Sequence, residues 1–239
     1  MTRAAALLRR AGEEALDLLF PPSLYCICCG NLIDRTRTYS LCDHCMDHIR
    51  WNADPPEIRA GMPFLRCMDY GIYERSIIFS LKYNGRRYIA REAAKIMADR
   101  LAAAGIKADI LVPVPLHPEK ERARGFNQAA LMAKYLAPLI SAESVPDCLV
   151  RTRKTRPMRG LGPEERMSNI AGSIALREGY EGFAKGKRIV LIDDFSTTGS
   201  TGRACGDALR AAEPAEVVFL AFAAREKTDV EFEPGGTQV

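Results

Sequence analysis

The chain has 239 residues, which is long enough for one full α/β domain, a small second module and a sizeable buried core. Its apolar fraction of 47% and charged fraction of 27% are those of an ordinary globular protein, and a net charge of +4 does not by itself indicate a nucleic-acid-binding protein. No stretch approaches the roughly 20 apolar residues of a membrane span, so we expect no transmembrane helix.

The first 20 residues predict an amphipathic helix rather than an export signal. Charged residues, among them Arg9, Glu13 and Asp17, interrupt any apolar core within a few positions. The apolar positions share one helical face: Leu7, Leu8, Ala11, Ala15, Leu18 and Leu19. We therefore expect a cytoplasmic protein whose N-terminal helix docks onto its own domain, with binding to a membrane surface as the less common alternative.

Two Cys-x-x-Cys pairs, with twelve residues between them, predict a zinc-binding module near the N-terminus. Four thiolates in this arrangement can close tetrahedrally around Zn²⁺, and Gly30 permits the tight turn after the first pair. The expected ligands are Cys26, Cys29, Cys42 and Cys45. Cys28 is excluded because pairing it with Cys26 leaves only one residue between ligands, whereas His44 and His48 compete for one position. The alternative is a set of reduced cysteines in a small core.

The segment 52–66 is predicted to be a linker, because its prolines and glycine break both helix and strand. From Cys67 onward, strand and helix patterns alternate, which implies a parallel sheet with helices on both faces. Strands are expected near 67–73, 110–114, 145–150, 187–192 and 216–222, and helices at 74–81, 87–103 and 128–139. The expected organisation is 1–51 for the N-terminal helix and zinc-binding module, 52–66 for the linker, 67–228 for the α/β domain and 229–239 for a flexible tail.

The most informative motif begins with the apolar run 189–192, which leads directly into Asp193 and Asp194. A turn of small residues then enters a helical pattern: Thr197, Thr198, Gly199, Ser200 and Thr201. Backbone N–H groups and hydroxyls at a helix N-terminus attract a phosphate dianion, and carboxylates can accept hydrogen bonds from vicinal hydroxyls. A buried strand before an Asp-capped helix would explain the carboxylates but not the turn. The block resembles the loop that binds phosphoribosyl pyrophosphate (PRPP) in type I phosphoribosyltransferases.

Other basic residues are expected near this loop. The segment from Val114 to Arg124 follows a strand, and Arg122 and Arg124 are predicted to bind pyrophosphate through charge-assisted hydrogen bonds. Lys82, in a third loop, can also reach a phosphate. The run 151–159 has five basic residues and no acidic one. It can close over polyphosphate, contact a nucleic-acid backbone or be a solvated charge run.

Together these motifs resemble ComF-type proteins, a branch of the phosphoribosyltransferase fold linked in some bacteria to uptake of transforming DNA. The resemblance rests on the segments 18–22, 81–83, 112–116, 124–128, 151–169 and 189–201, together with the cysteine pairs. Many relatives carry a second cysteine pair, but only Cys67 lies just downstream here, so one zinc is expected. Met158 stands where relatives often have Gln.

This resemblance implies a PRPP-binding protein that uses Mg²⁺ and transfers the phosphoribosyl group to a nitrogen acceptor. In that interpretation Asp193 and Asp194 hold the ribose hydroxyls and, through water, Mg²⁺, and the 197–201 turn holds the 5′-phosphate. Lys82 and the loop from Val114 to Arg124 hold the pyrophosphate. The alternative is a non-enzymatic factor for DNA uptake that binds PRPP or a nucleotide as a sensor and docks partner proteins or single-stranded DNA.

Overall fold

The computed structural model describes residues 24–83, 86–152 and 172–226, and the element numbers below count only these residues. The helices are α1 (Asp43–His48), α2 (Ile72–Tyr83), α3 (Ile89–Ala103), α4 (Pro118–Arg124), α5 (Gln128–Leu139) and α6 (Ser200–Leu209). The strands are β1 (Glu57–Arg59), β2 (Met62–Asp69), β3 (Ile110–Pro113), β4 (Glu143–Ser144), β5 (Leu149–Arg151), β6 (Ile174–Leu176), β7 (Arg188–Ser196) and β8 (Glu216–Ala224). Short 3-10 turns lie at Thr38–Ser40 and Arg210–Ala212.

The main sheet has the strand order β1-β2-β8-β7-β3-β4, and every pair except β1–β2 is parallel. The central strands β7 and β8 are apolar along most of their length, as expected for parallel strands that are covered on both faces. Pro113 at the end of β3 pairs with Ile192 of β7. The loops that follow these two strands therefore start side by side at one edge of the sheet.

Helices cover both faces of the sheet, so the predicted α/β class is confirmed. On one face, α2, α3 and α5 contribute to a core that includes Ile77, Met97 and Leu136. On the other face, α6 and the separate β5–β6 pair cover a second cluster that includes Phe219. An added Cβ at Gly202 would lie 2.5 Å from the Phe219 ring, which shows how closely α6 packs on β8.

The linker predicted over 52–66 is wrong for residues 57–66, which form β1 and the first half of β2. A two-residue turn joins these strands, with φ of 59° at Ala60 and 79° at Gly61, and two positive values are what a tight hairpin needs. Pro63 is tolerated in β2 because it pairs with Ile58 at a non-hydrogen-bonded position, where the backbone nitrogen faces away from β1 and no N–H is needed for this pairing. Pairing of β2 with β8 begins one residue later.

Three other expectations change in detail. The strand near 145–150 is β5 at 149–151, which pairs antiparallel with β6 outside the main sheet. The loop from Val114 to Arg124 contains helix α4, because His117 and Pro118 start it and Gly125 ends it in the left-handed conformation. Strand β7 continues through the acidic pair to Ser196.

The start of the α/β domain at 67 falls inside β2 and moves to 57, where β1 begins, whereas the boundaries 1–51 and 229–239 and the domain end at 228 stay predictions. The N-terminal helix, the run 153–159 and the tail lie outside the described residues. Among the residues that are described, no helix has the length and apolar character needed to cross a membrane.

The residues from 24 to 51, here called the cysteine module, pack on helix α2. Ile27, Leu41 and Ile49 of the module are buried in the same cluster as Ile77 of α2. The hydroxyl of Ser76 on α2 donates to the carbonyl of Cys28 at 2.8 Å. The module and the main sheet thus share one core.

Candidate functional site

A cavity of about 220 Å³ opens beyond the carboxyl ends of β3 and β7. Six of the predicted site residues line it: Lys82, Val114, Arg124, Asp193, Asp194 and Thr201. The same wall contains Lys120, Asn127, Gln128 and Arg151. Residues from α2, α4, β5 and β7 therefore meet in one space, where ligands bind in open parallel sheets.

The acidic pair at the end of β7 occupies two different environments. Asp193 is buried, and burial together with the neighbouring charge of Asp194 raises its pKa well above the usual value. Its Oδ1 accepts the backbone N–H of Asp194 at 2.9 Å. Asp194 forms an ion pair with Lys82, the penultimate residue of α2. The charge of Asp194 is therefore compensated by Lys82, whereas the Asp193 carboxyl favours a bound cation or a hydroxyl donor.

Four cationic side chains surround this pair: Lys82, Lys120, Arg124 and Arg151. Desolvation, followed by repulsion from Arg151, Arg124 and Lys82, lowers the pKa of Lys120. Partial burial also lowers the pKa of Arg151. Like charges held this close repel one another, so the cluster favours an anionic ligand.

Two residues fix the entrance to α5 and with it the wall of the cavity. The Asn127 side chain caps α5 by accepting the backbone N–H of Ala129 at 3.0 Å, and its amide donates to the carbonyl of Val114 at 3.0 Å. Arg124 donates to Gln128 Oε1 at 3.0 Å and stacks on the Tyr83 ring at 5.2 Å. These contacts hold Arg124 beside the acidic pair.

The 197–201 turn leads into α6 beside the cavity. Gly199 has a φ of 79° and is the N-cap, a conformation that residues with a Cβ rarely adopt. Thr198 and Ser200 share a hydrogen bond of 2.6 Å between their hydroxyls. Of the turn, only Thr201 lines the cavity. Arg122 is exposed on α4 and lies outside the cavity lining.

The structure brings the four predicted cysteine ligands together. The sulfur atoms of Cys26, Cys29, Cys42 and Cys45 all lie within 4.8 Å of one another. The Sγ atoms of Cys29 and Cys42 are 3.8 Å apart, which matches the S···S separation of about 3.8 Å in a tetrahedral site with Zn–S bonds of about 2.3 Å. Burial opposes ionisation of Cys26, but three backbone N–H groups of the two knuckles bring its pKa to about 7. The set can bind a metal such as zinc.

The residues that could compete as metal ligands have other hydrogen-bond partners: Cys28, His44 and His48. Burial raises the pKa of Cys28 to about 12, and its thiol donates to the carbonyl of Tyr73 at 3.5 Å. His44 Nε2 lies 3.0 Å from the Tyr73 hydroxyl, and His48 Nδ1 lies 2.7 Å from the carbonyl of His44. Within the described ranges, the four cysteines are the group that has the geometry of a metal site.

Comparison with known proteins assigns the family. The phosphoribosyl transferase domain family matches residues 83–232, which is more than half of the chain. The chain belongs to this family. Competence protein F of Haemophilus influenzae is 24% identical over 183 residues, covering 72% of this chain and 80% of that protein. DNA utilization protein YhgH of Escherichia coli K12 is 27% identical over 181 residues, covering 74% and 73%.

These relatives confirm the resemblance to ComF-type proteins. Among solved structures, adenine phosphoribosyltransferase from Thermoanaerobacter pseudethanolicus is 15% identical, with a TM-score of 0.39, and the likeness covers 62% of this chain and 86% of that one. This likeness is too distant to assign a substrate.

Sequence reasoning assigned no ligand role to three residues that line this cavity: Lys120, Asn127 and Gln128. Lys120 gave no local signal, because an exposed lysine on a short helix is common. Asn127 and Gln128 lie in the segment 124–128 that carried the family resemblance, so this segment held a usable signal. Arg151 was part of the basic run, and only the fold shows that it reaches the cavity.

Proposed function

We propose that the cavity binds PRPP with Mg²⁺ and that the protein transfers the phosphoribosyl group to a nitrogen acceptor. In this reaction the C1–O bond to pyrophosphate breaks, and its electron pair leaves with the pyrophosphate. The nitrogen forms the new bond to C1 and releases its proton to solvent. The family assignment supports the fold and the ligand class, and the acceptor is unknown.

The observation that carries this proposal is that four cationic side chains line the same cavity as the carboxylate pair, of which Asp193 is buried. A site for PRPP needs both cationic and anionic side chains. Cations bind its phosphates, and carboxylates bind its ribose hydroxyls and the accompanying Mg²⁺. Mg²⁺ takes oxygen ligands and is commonly held by one or two carboxylates together with substrate phosphates, so Asp193 and Asp194 fit it. When bound, the ion would neutralise charge on the departing pyrophosphate.

Each wall of the cavity then has a role. Asp193 and Asp194 hold the ribose hydroxyls, and the 197–201 turn holds the 5′-phosphate at the start of α6. The pyrophosphate lies against Lys82, Arg124 and the backbone of Val114. Lys120 and Arg151, which line the cavity, extend this set, whereas Arg122 contributes only if α4 changes position.

Lys82 has two successive partners in this proposal. Without ligand it neutralises Asp194, which keeps the acidic pair from carrying two uncompensated charges. When pyrophosphate arrives, the ammonium group binds phosphate oxygens and Asp194 becomes available to Mg²⁺ or a ribose hydroxyl. The energetic contribution of the chain is positioning and electrostatic stabilisation of the leaving group.

Calorimetry of PRPP binding with and without Mg²⁺ tests this function. The variant Asp193→Asn/Asp194→Asn should bind PRPP at least tenfold more weakly, and its affinity should no longer depend on Mg²⁺. Asp207→Asn is the matched control, because Asp207 is an exposed carboxylate on α6 that pairs with Arg210. Wild-type binding no tighter than that of the double variant would refute the proposal.

We further propose that the four cysteines hold one structural Zn²⁺. All four ligand positions come from the protein, so the site has no open position for a substrate. Elemental analysis of freshly purified, reduced protein should give one zinc per chain.

A second candidate function is a cytoplasmic, non-enzymatic factor for DNA uptake. The relatives favour it by their names, Competence protein F and DNA utilization protein YhgH. An acceptor screen that follows pyrophosphate release separates the two, because only the enzyme releases pyrophosphate. Binding of single-stranded DNA should weaken with salt and with neutralisation of Arg153, Lys154 and Arg156 if the basic run contacts the strand. Unchanged affinity in that variant removes the run from this function.

A further inference from the structure

The β1–β2 hairpin packs directly against the 197–201 turn. A Cβ added at Gly199 would lie 3.0 Å from Arg59 Cγ and 3.3 Å from Ala60 Cβ. The stem of Arg59 therefore crosses the turn at the one residue that has no side chain. This contact places a cationic side chain next to the start of α6, on a segment that carried no predicted site residue.

Arg59 is buried, with 4% of its surface exposed, and its guanidinium contacts one carboxylate, one carbonyl and one aromatic ring. Its Nη2 lies 2.6 Å from Glu57 Oε1, but Arg66 Nη1 shares the same carboxylate oxygen at 3.2 Å. Its Nη1 donates to the carbonyl of Arg225 at 3.2 Å, and the guanidinium lies 4.2 Å from the centre of the Phe64 ring. These contacts hold the guanidinium in place beside the turn, and Arg66 has Asp54 and Asp69 as further partners.

Two buried polar groups at this turn lack hydrogen-bond partners in the part of the chain that the structure describes. They are Nε of Arg59 and the hydroxyl of Ser196, which is 3% exposed and directly precedes the turn. Buried donors are normally satisfied, because an unmet one loses its hydration without compensation. Two unmet donors beside the N-terminus of α6 add to the positive potential there, which favours a bound anion at the turn.

We propose that Arg59 is a positioning residue for the anion at the 197–201 turn, and that it makes this turn selective for a phosphate monoester such as the 5′-phosphate of a ribose. This inference rests on the proposed function, which places that phosphate at the turn. Arg59 acts through the turn, since it lies outside the lining of the main cavity. Its charge adds to the positive end of the α6 dipole, and its stem fixes the backbone at Gly199. The pyrophosphate end of the ligand lies among other cations and does not depend on Arg59.

The two ends of PRPP can be tested separately with ribose 5-phosphate and with inorganic pyrophosphate. Calorimetry should show that Arg59→Gln weakens ribose 5-phosphate binding by about tenfold or more and changes pyrophosphate binding by less than about twofold. Arg59→Lys keeps the charge and should recover part of the loss. Arg210→Gln is the matched control, because Arg210 is an exposed arginine just after the opposite end of α6.

A purely structural role for Arg59 would weaken both ligands together, so equal losses in Arg59→Gln overturn the inference, as does unchanged affinity for ribose 5-phosphate. If Arg59→Gln does not fold, Arg59→Lys provides the measurement, and a loss confined to ribose 5-phosphate supports the inference. If the wild-type protein binds PRPP and Arg59→Gln keeps its full affinity for ribose 5-phosphate, only this inference is overturned. Wild-type protein that binds neither ligand overturns the proposed function as well.

Discussion

Replacing Gly202 with alanine should destabilise the protein, although alanine is the better helix former. The added methyl group would lie 2.5, 2.7 and 3.1 Å from three carbons of the Phe219 ring. This ring is fully buried and packs against Phe64 at 5.1 Å between ring centres, so it cannot move aside easily. Overpacking costs about 1–3 kcal/mol, and three close contacts indicate the upper end. The gain in helix propensity is about 1 kcal/mol, which leaves a net loss of about 2 kcal/mol.

Gly206→Ala, one helical turn further along α6, is the matched control with the opposite expected sign. Its methyl group would meet Met62 Cε at 2.3 Å, and that atom is the end of a flexible side chain. Because Met62 can adopt another rotamer, most of the propensity gain of about 1 kcal/mol should remain. The two alanine variants should therefore differ by about 2–3 kcal/mol.

Denaturant unfolding with a shared m-value measures this difference. Calorimetry with ribose 5-phosphate adds a functional readout, because a shifted α6 also shifts the 197–201 turn. Equal free energies of unfolding for the two variants, or a more stable Gly202→Ala, would refute the close packing of α6 on β8 that the argument requires.

Three further predictions concern the metal site and the acidic pair. Cys29→Ser should lose the zinc in elemental analysis and Cys28→Ser should keep it; equal loss would show that the ligand set is wrong. Asp193→Asn should raise the free energy of unfolding at neutral pH, because burial raises the pKa of Asp193 in the folded protein and its charged form is therefore destabilising. This gain should disappear below about pH 4, where the carboxyl is protonated in both states, and a gain that persists there contradicts the reasoning. Lys82→Met should weaken pyrophosphate binding by about tenfold and destabilise the protein, and Asp194→Asn in the same background should restore stability if the ion pair is the cause.

The acidic pair and its turn could be predicted because they are contiguous in sequence. Strand β7, the carboxylates, the turn and α6 follow one another within 188–209, so local pattern alone gives their order. The helix predicted at 128–139 is confirmed to the residue, because its apolar period is regular. The structure adds that Asn127 caps its start. Local signals of this kind do not depend on the rest of the fold.

The β1–β2 hairpin was missed because its sequence resembles a linker. Pro55, Pro56 and Pro63 disfavour a central strand, and Ala60-Gly61 is not among the strongest hairpin signals. Only the position of β1 at the sheet edge and of Pro63 beyond the β8 pairing explains why these residues are tolerated. Edge position is a property of the fold and cannot be seen in the sequence.

The proximity of the cationic side chains in the cavity likewise depends on the fold. Lys82, Lys120 and Arg151 belong to three segments that lie far apart in the chain, and their proximity results from the strand order. Sequence reasoning identified Lys82 but placed it in a loop, whereas it lies in the last turn of α2. It included Arg151 only as part of a basic run. A single sequence carries no information on which of many surface lysines, such as Lys120, face the same space.

The position of β2 in the sheet determines where this protein can be divided. The family match begins at residue 83, whereas β1, β2 and α2 lie before it and β2 pairs with β8. A fragment cut at residue 83 would lose Lys82 and expose the whole β2-facing edge of β8, a nine-residue strand that is mostly buried and apolar. Long apolar edges of this kind pair with other chains. Such a fragment should therefore aggregate, and biochemical work on the phosphoribosyltransferase region needs residues from the cysteine module onward.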